Sequence, residues 1–244
     1  MVGETIDGTY RQTNLTNESK EYLAKREELR LAEIELRNVR ERVAALRRQL
    51  PPGAIIENYE FVEGPVSLDE SDAPKKKVRL SELFTAPDRS LVIYHFMYGK
   101  KQTTACPMCT AWIDGCNGIA HHLAQCVDFA VVAAADLPTL REYARSRGWN
   151  KLRLLSAGES SFKYDLGSED SEGHQDSTIS VFTRDKDGAL RHFYTGHPWL
   201  AKDIRERGID EMSPIWNMLD LTPQGRGTWY ASLDYGTKVQ AARE

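Results

Sequence analysis

Leu91-Val92-Ile93-Tyr94-His95-Phe96-Met97-Tyr98 is a near-continuous apolar run, and Cys106-Pro107-Met108-Cys109 follows it across a short loop. β-Branched and aromatic residues in a run of this length predict a strand buried on both faces. Gly99 to Thr104 form the loop, and Ala111 to about Ala124 read as helix. Val127-Asp128-Phe129-Ala130-Val131-Val132-Ala133 is a second buried strand, and Asp136 can cap a helix running to Arg147 and closed by Gly148. Leu152 to Leu155 add a short strand. Thr178 to Thr183 and Ala189 to Tyr194 flank Asp185-Lys186-Asp187-Gly188, a hairpin signal, and a helix around Met212–Leu219 closes the series. Helical crossovers imply parallel pairing in the centre, and the hairpin supplies an antiparallel edge. The fold class is therefore α/β, a mixed sheet flanked by helices.

Outside that block the chain changes character. Residues 1–16 are polar and predict a loose leader. From about Asn17 to Leu50 there is no Pro or Gly, and Tyr22, Leu29, Leu36, Val43 and Leu50 fall seven apart. Ala32, Val39 and Leu46 stand three further on, with Lys25 breaking that second row. The period is that of a long N-terminal amphipathic helix of about 50 Å, which permits a homodimer through residues 17–50 or packing on its own domain. Pro51-Pro52-Gly53 ends it. The expected organisation is a leader and helical arm over 1–53, one globular domain over 54–221 and a flexible tail over 222–244. Within the domain, Asn58–Val62 is a strand candidate, 78–84 reads as a short strand entering a helical turn, and 156–177 reads as a long polar loop near a site. The basic cluster in 74–79 reads as a solvated loop before a targeting signal.

Composition removes several function classes. The 244 residues carry 32 basic and 36 acidic side chains, a formal charge of −4, which is a poor footprint for nucleic acid. No apolar run is long enough to span a bilayer, and the first residues show no secretory signal, so a cytoplasmic protein is expected. Four cysteines are too few for a disulfide scaffold. Two of them at CxxC spacing read instead as redox or metal chemistry.

Cys106 stands where a buried strand hands over to a helix, so its sulfur meets the unpaired N–H groups and positive end of that helix. Such a position favours the thiolate. Cys109 is about one turn on and can face Cys106, while Pro107 suits the first turn because its missing N–H costs no helical bond. Cys106 would attack a disulfide, protein or small molecule, and Cys109 would resolve the mixed disulfide, with no cofactor required.

Tyr94-His95-Phe96-Met97, Cys106-Pro107-Met108-Cys109-Thr110 and Trp112-Ile113-Asp114-Gly115 resemble an uncharacterised thioredoxin-like family of predicted dithiol-disulfide oxidoreductases. The likeness extends from the N-terminal helix to Leu219-Asp220-Leu221-Thr222-Pro223. It implies a thioredoxin-like fold with Cys106 and Cys109 as the redox pair, and it implies no substrate. Thioredoxins place a cis-proline opposite the CxxC, whereas the matching stretch here is Asp176-Ser177-Thr178-Ile179. Ser177 or Thr178 is then expected to face the cysteines, and Thr178 is taken as the third catalytic candidate.

Losing that proline leaves room for a metal. In the alternative reading Cys106, Cys109 and His174 would hold copper, as in copper-delivery proteins of similar design, with zinc less suited because it needs more ligands. Cys116 is expected in the helix core, Cys126 at the strand entrance, and His122 lies four residues before Cys126. A second alternative is a thiol peroxidase, since Thr103-Thr104-Ala105-Cys106 matches the Thr-x-x-Cys core of peroxiredoxins. Gly99 stands where their proline would, and Arg153 or Arg184 would have to supply the required arginine. Trp112 is a candidate wall for a substrate pocket, with core packing as its plain role.

Overall fold

The computed structural model describes residues 5–6, 10–11, 15–202 and 207–235. The chain divides into two compact units, Met1–Pro51 and Pro52–Glu244. In the first, β1 (Thr5–Ile6) pairs antiparallel with β2 (Tyr10–Arg11), so the leader expected to be loose contains a short ladder. The amphipathic helix α1 spans Lys20–Arg48. It begins after Ser19, whose hydroxyl accepts from the Tyr22 N–H at 3.1 Å, and it stops short of Pro51-Pro52, which disfavour helix in the residue before them. None of its residues is buried, and Leu29, Leu36 and Leu46 are among its exposed apolar side chains.

The second unit is built on β3 (Glu60–Glu63), β4 (Lys76–Arg79), β5 (Leu91–Phe96), α2 (Pro107–Cys126), β6 (Asp128–Ala133), α3 (Leu137–Arg147) and β7 (Arg153–Ser156). It continues through α4 (Phe162–Asp165), β8 (Thr178–Arg184), β9 (Leu190–Gly196) and α5 (Pro214–Leu219). Seven strands form one mixed sheet in the order β4-β3-β7-β6-β5-β8-β9. β5, β6 and β7 run parallel, while β8 is antiparallel to β5 and forms the hairpin with β9. The order β6-β5-β8-β9, with α2 crossing from β5 to β6, is the thioredoxin arrangement. Among the described residues no helix is long and apolar enough to cross a membrane.

Strand alternation sorts the core into two layers. Tyr94 and Phe96 of β5 pack with Ile113 of α2, Leu140 of α3, Trp149 and Trp216 of α5. Leu91 and Ile93 face the other way, toward Phe61, Leu80, Leu83, Phe162 and Phe182. Asp114 joins elements of the first layer: it accepts from the Trp149 indole N–H at 2.7 Å and pairs with Arg147. Two of the motif residues read from the sequence, Trp112 and Asp114, therefore serve packing between α2 and its neighbours.

Two sequence expectations are corrected. The stretch 156–177 is not loop throughout, because Phe162 anchors α4 among Tyr59, Phe61, His95 and Phe182. A single turn of four residues is too short for a periodic signal to show. Residues 222–235 do not behave as a free tail: Ala231 is buried, Trp229 packs on the first core layer, and the Tyr235 hydroxyl accepts from Arg147 at 2.6 Å. Residues 236–244 lie outside the described residues.

Candidate active site

Cys106 is the N-cap of α2, with an extended backbone (φ −65°, ψ 124°), and its sulfur accepts from the Cys109 N–H at 3.5 Å. Pro107 fills the first helical position, as its missing N–H allows. The Thr110 hydroxyl donates to the Cys106 carbonyl at 2.9 Å and meets the Tyr143 hydroxyl at 2.8 Å, fixing the first turn of α2 against α3. Upstream, the Cys106 N–H donates to Met97 O at 3.3 Å, so the end of β5 holds the cysteine directly.

The two thiols differ in setting. Cys106 is 8% exposed, and Cys109 is 1% exposed. The Cys109 thiol is the chief group that lowers the Cys106 pKa to about 6 from 9.0. Burial opposes that change, and the N–H groups of Cys109 and Met108 and the Tyr230 hydroxyl assist it. Burial pushes the Cys109 thiol well above its ordinary value, and the neighbouring Cys106 pushes it further. The Tyr94 hydroxyl and the Met97 N–H act on the Cys109 sulfur in the opposite sense. One sulfur is ready as an anion and the other keeps its proton.

Cys106 and Cys109 line a cavity of about 130 Å³ together with Met97, Met108, Trp112, Asp176, Ser177, Pro198, Trp199 and Tyr230. Trp112 forms a wall of it, edge-on to Tyr94 and Trp216 at 6.0 and 5.8 Å between ring centres. Asp176 accepts from His197 Nε2 at 2.8 Å, while His197 Nδ1 accepts the Trp199 N–H at 2.9 Å. That pairing gives His197 its Nε2–H tautomer and ties the residues after β9 to the cavity rim.

The structure places the predicted residues unequally. Cys106 and Cys109 come together as expected. Thr178 does not join them. In the pairing of β8 with β5, Thr178 stands opposite His95 and Ile179 opposite Tyr94. Alternation then turns Thr178 to the His95 face of the sheet and leaves Ser177 on the cysteine side. The Thr178 hydroxyl is buried with no hydrogen-bond partner among the described residues. His174 is also elsewhere: its ring is solvent-exposed and bonds Asp170 at 2.9 Å. Among the described residues no three His, Cys, Asp or Glu side chains gather in a way that would hold a metal, so the Cys106, Cys109 and His174 set does not form. Cys116 is buried in the helix, as expected, whereas Cys126 at the end of α2 is exposed.

Neither arginine considered for peroxide chemistry reaches the cavity. Arg153 pairs with Glu63 at 2.9 Å, and Arg184 lies over the Phe84 ring at 5.2 Å. Gly99 has φ +108°, and a Cβ there would lie 2.0 Å from Ala135 N, so the loop before Cys106 has no room for the peroxiredoxin proline.

Sequence reasoning missed Tyr230, which it assigned to the tail, the Asp176–His197 pair, and Lys163. Lys163 is fully buried on α4. A lysine inside a polar stretch carries no sequence sign of burial; only the aromatic Phe162 beside it hinted at an anchor.

A family described as bacterial protein of unknown function (DUF899) matches residues 11–240. The chain belongs to that family. A comparison with curated proteins finds no match. Among solved structures the chain is similar to a peroxiredoxin at 16% identity and a TM-score of 0.46, over 66% of this chain and 97% of that one. It is similar to reduced Prx3 in complex with H2O2 from Vibrio vulnificus at 17% identity and a TM-score of 0.43, over 60% of this chain and 89% of that one. A third, Mycobacterium tuberculosis AhpC, has 14% identity and a TM-score of 0.43, over 61% of this chain and 82% of that one. The chemistry of this DUF899 member rests on its own residues.

Proposed function

We propose that the protein is a thiol–disulfide oxidoreductase in which Cys106 is the attacking thiolate and Cys109 the resolving thiol. The observation that carries this reading is the placement of the pair: one sulfur caps a helix at the floor of a cavity, and the second stands one turn behind it. Attack by the Cys106 thiolate forms a bond to one substrate sulfur and releases the other as thiolate. Cys109 then loses its proton and attacks Cys106, forming the intramolecular disulfide and expelling the second substrate thiol. The substrate is reduced by two electrons and the CxxC pair is oxidised by two. The aromatic and Met side chains around the cavity suit an apolar segment next to the target disulfide, with Ser177 and Asp176 as its polar partners. No cofactor enters this scheme.

Mild oxidation followed by alkylation and mass spectrometry is expected to find a Cys106–Cys109 disulfide; a fully alkylatable pair would sink the dithiol mechanism. In the reduced protein, alkylation of Cys106 should rise with pH around a midpoint near 6. Stability follows the same titration. A thiol that ionises at about 6 when folded instead of 9.0 contributes stability that is fully present above pH 9 and is lost as pH falls through 6. The disulfide form has no such thiol. Urea midpoints of the reduced protein, relative to the oxidised one, should therefore rise between those two pH values, and parallel curves would contradict the assignment.

We also propose that residues 17–50 pair with a second copy along the heptad row, since Leu29, Leu36 and Leu46 stand exposed on α1. Light scattering at micromolar concentration should give a dimer mass; a monomer mass discards the pairing.

A further inference from the structure

Cys106 caps a helix just past the end of a central strand, yet it is only 8% exposed. The cavity it lines holds about 130 Å³, room for roughly four waters at about 30 Å³ each. A disulfide under attack must bring two sulfurs and their attached carbons to the Cys106 sulfur, so part of the wall has to give way. Most of that wall is fixed. Met97 and Ser177 adjoin paired strands, and Met108 and Trp112 belong to α2. Pro198 O accepts the Gly208 N–H at 2.8 Å, and the Trp199 N–H is held by His197.

Tyr230 comes from a different kind of segment. Residues 222–235 contain neither helix nor strand, and the Gly225 and Trp229 N–H groups close local turns on Thr222 O and Arg226 O at 3.0 and 3.2 Å. Gly225 and Gly227 have φ of +61° and +53°, conformations that favour glycine, so the segment begins at two residues able to absorb a change of direction. Side chains fasten the rest. The Arg226 guanidinium lies 4.1 Å from the centre of the Trp216 ring, and Trp216 backs Trp112, a wall of the cavity. Trp229 and Ala231 dock on the core. At the far end, the Arg147 guanidinium donates to the Tyr235 hydroxyl at 2.6 Å and lies 5.5 Å from its ring centre. Arg147 is itself paired with Asp114 of α2, the helix that Cys106 caps. Tyr235 is 61% exposed, so water competes for this latch.

We infer that residues 222–235 are a strap closing the cavity over Cys106, with Tyr230 as the side chain that decides the size of the molecule admitted. The inference rests on the dithiol reading for the reaction that the strap controls. In the closed form a small reagent reaches the sulfur, while the disulfide of a larger substrate is kept out. Opening at the glycines carries Tyr230 away from Cys106, and the rate with a large substrate follows the population of the open form.

The test uses the full chain with Cys126→Ser, which removes the exposed cysteine, and follows alkylation of Cys106 by peptide mass spectrometry. The reagents are N-methylmaleimide and fluorescein-5-maleimide. They share one reactive group, so the ratio of their rates cancels changes in Cys106 ionisation and keeps the effect of size. Tyr230→Ala should raise the ratio of the bulky to the small reagent about tenfold. Tyr230→Phe keeps the ring and drops the hydroxyl, and should stay within about twofold of the parent ratio. Tyr235→Ala removes the latch without altering the cavity lining, and should raise the ratio about fivefold.

Cys116, buried in α2 and outside the cavity, reports general loosening, and its alkylation should keep the parent rate in every variant. An unchanged ratio in Tyr230→Ala or Tyr235→Ala, a shifted ratio in Tyr230→Phe, or Cys116 alkylation that rises with that of Cys106 overturns the inference. Maleimide addition needs no second cysteine. Failure of the Cys106–Cys109 disulfide to form would therefore remove the dithiol reading and leave these ratios as they are.

Discussion

Cys106→Ser is expected to lower the rate of reduction of a disulfide substrate such as insulin about a thousandfold or more, because a serine hydroxyl is not ionised where this thiol is. The same substitution at Cys109 should behave differently. Cys109→Ser keeps the attacking sulfur at the helix N-cap, so the first bond still forms and the reaction stops there. A covalent adduct of protein and substrate should accumulate on non-reducing gels and disappear with dithiothreitol. The two variants separate attack from resolution. Equal activity of Cys106→Ser and the parent protein would remove Cys106 from the chemistry, and failure of Cys109→Ser to trap an adduct would remove Cys109 from the resolving role.

The second large effect is structural. Gly99→Ala is expected to destabilise the protein by about 3 kcal/mol or more, since two penalties meet at one residue. The backbone there has φ +108°, a conformation that side-chain-bearing residues rarely adopt. The added Cβ would also lie 2.0 Å from Ala135 N and 2.3 Å from the Ala134 carbonyl carbon, both backbone atoms in the turn after β6. That turn cannot withdraw, because the Ala135 N–H donates to Tyr98 O at 2.9 Å, and Gly99 exchanges hydrogen bonds with Gln102 at 2.7 and 2.9 Å. Urea denaturation measures the loss, and Cys106 alkylation reports whether the loop still delivers the cysteine to its cap. A variant within about 1 kcal/mol of the parent would show that the close approach is not obligatory.

Gly99 also shows how one residue can be read in two ways. In sequence it is a missing proline, a departure from the peroxiredoxin pattern. In the structure it is required on its own account, since the loop after β5 and the turn after β6 approach within a backbone's width at Gly99 and Ala135. Together with the absence of Arg153 and Arg184 from the cavity, it leaves the proline and arginine of the peroxiredoxin pattern without a counterpart at these positions.

Most of the fold was legible because its signals are local. Apolar runs marked β5 and β6, Asp136 and Gly148 bounded α3, and Asp185-Lys186-Asp187-Gly188 marked the hairpin between β8 and β9. The short elements were harder. α4 has four residues, and its burial depends on aromatic partners from 59, 61 and 182, which no local window contains. The 222–235 stretch was misread for a related reason. It shows no helical or strand period and opens on Pro223, Gly225 and Gly227, which suits a tail, and only the docking of Trp229 and Ala231 on the core shows otherwise.

The candidate site divides along the same line. Strand period, the Pro107 position and CxxC spacing are all set within about twenty residues, so local sequence suffices to show a buried strand feeding a helix through Cys106. Which groups meet those sulfurs was decided only by tertiary structure. The register of β8 against β5 turns Ser177 toward the cysteines and Thr178 away, and a slip of one residue would exchange them. His174, two residues before the cavity residue Asp176, faces solvent. Tyr230, from near the end of the described chain, reaches Cys106 across the cavity. Sequence proximity governs a helix cap; facing across a sheet depends on how separate strands pair.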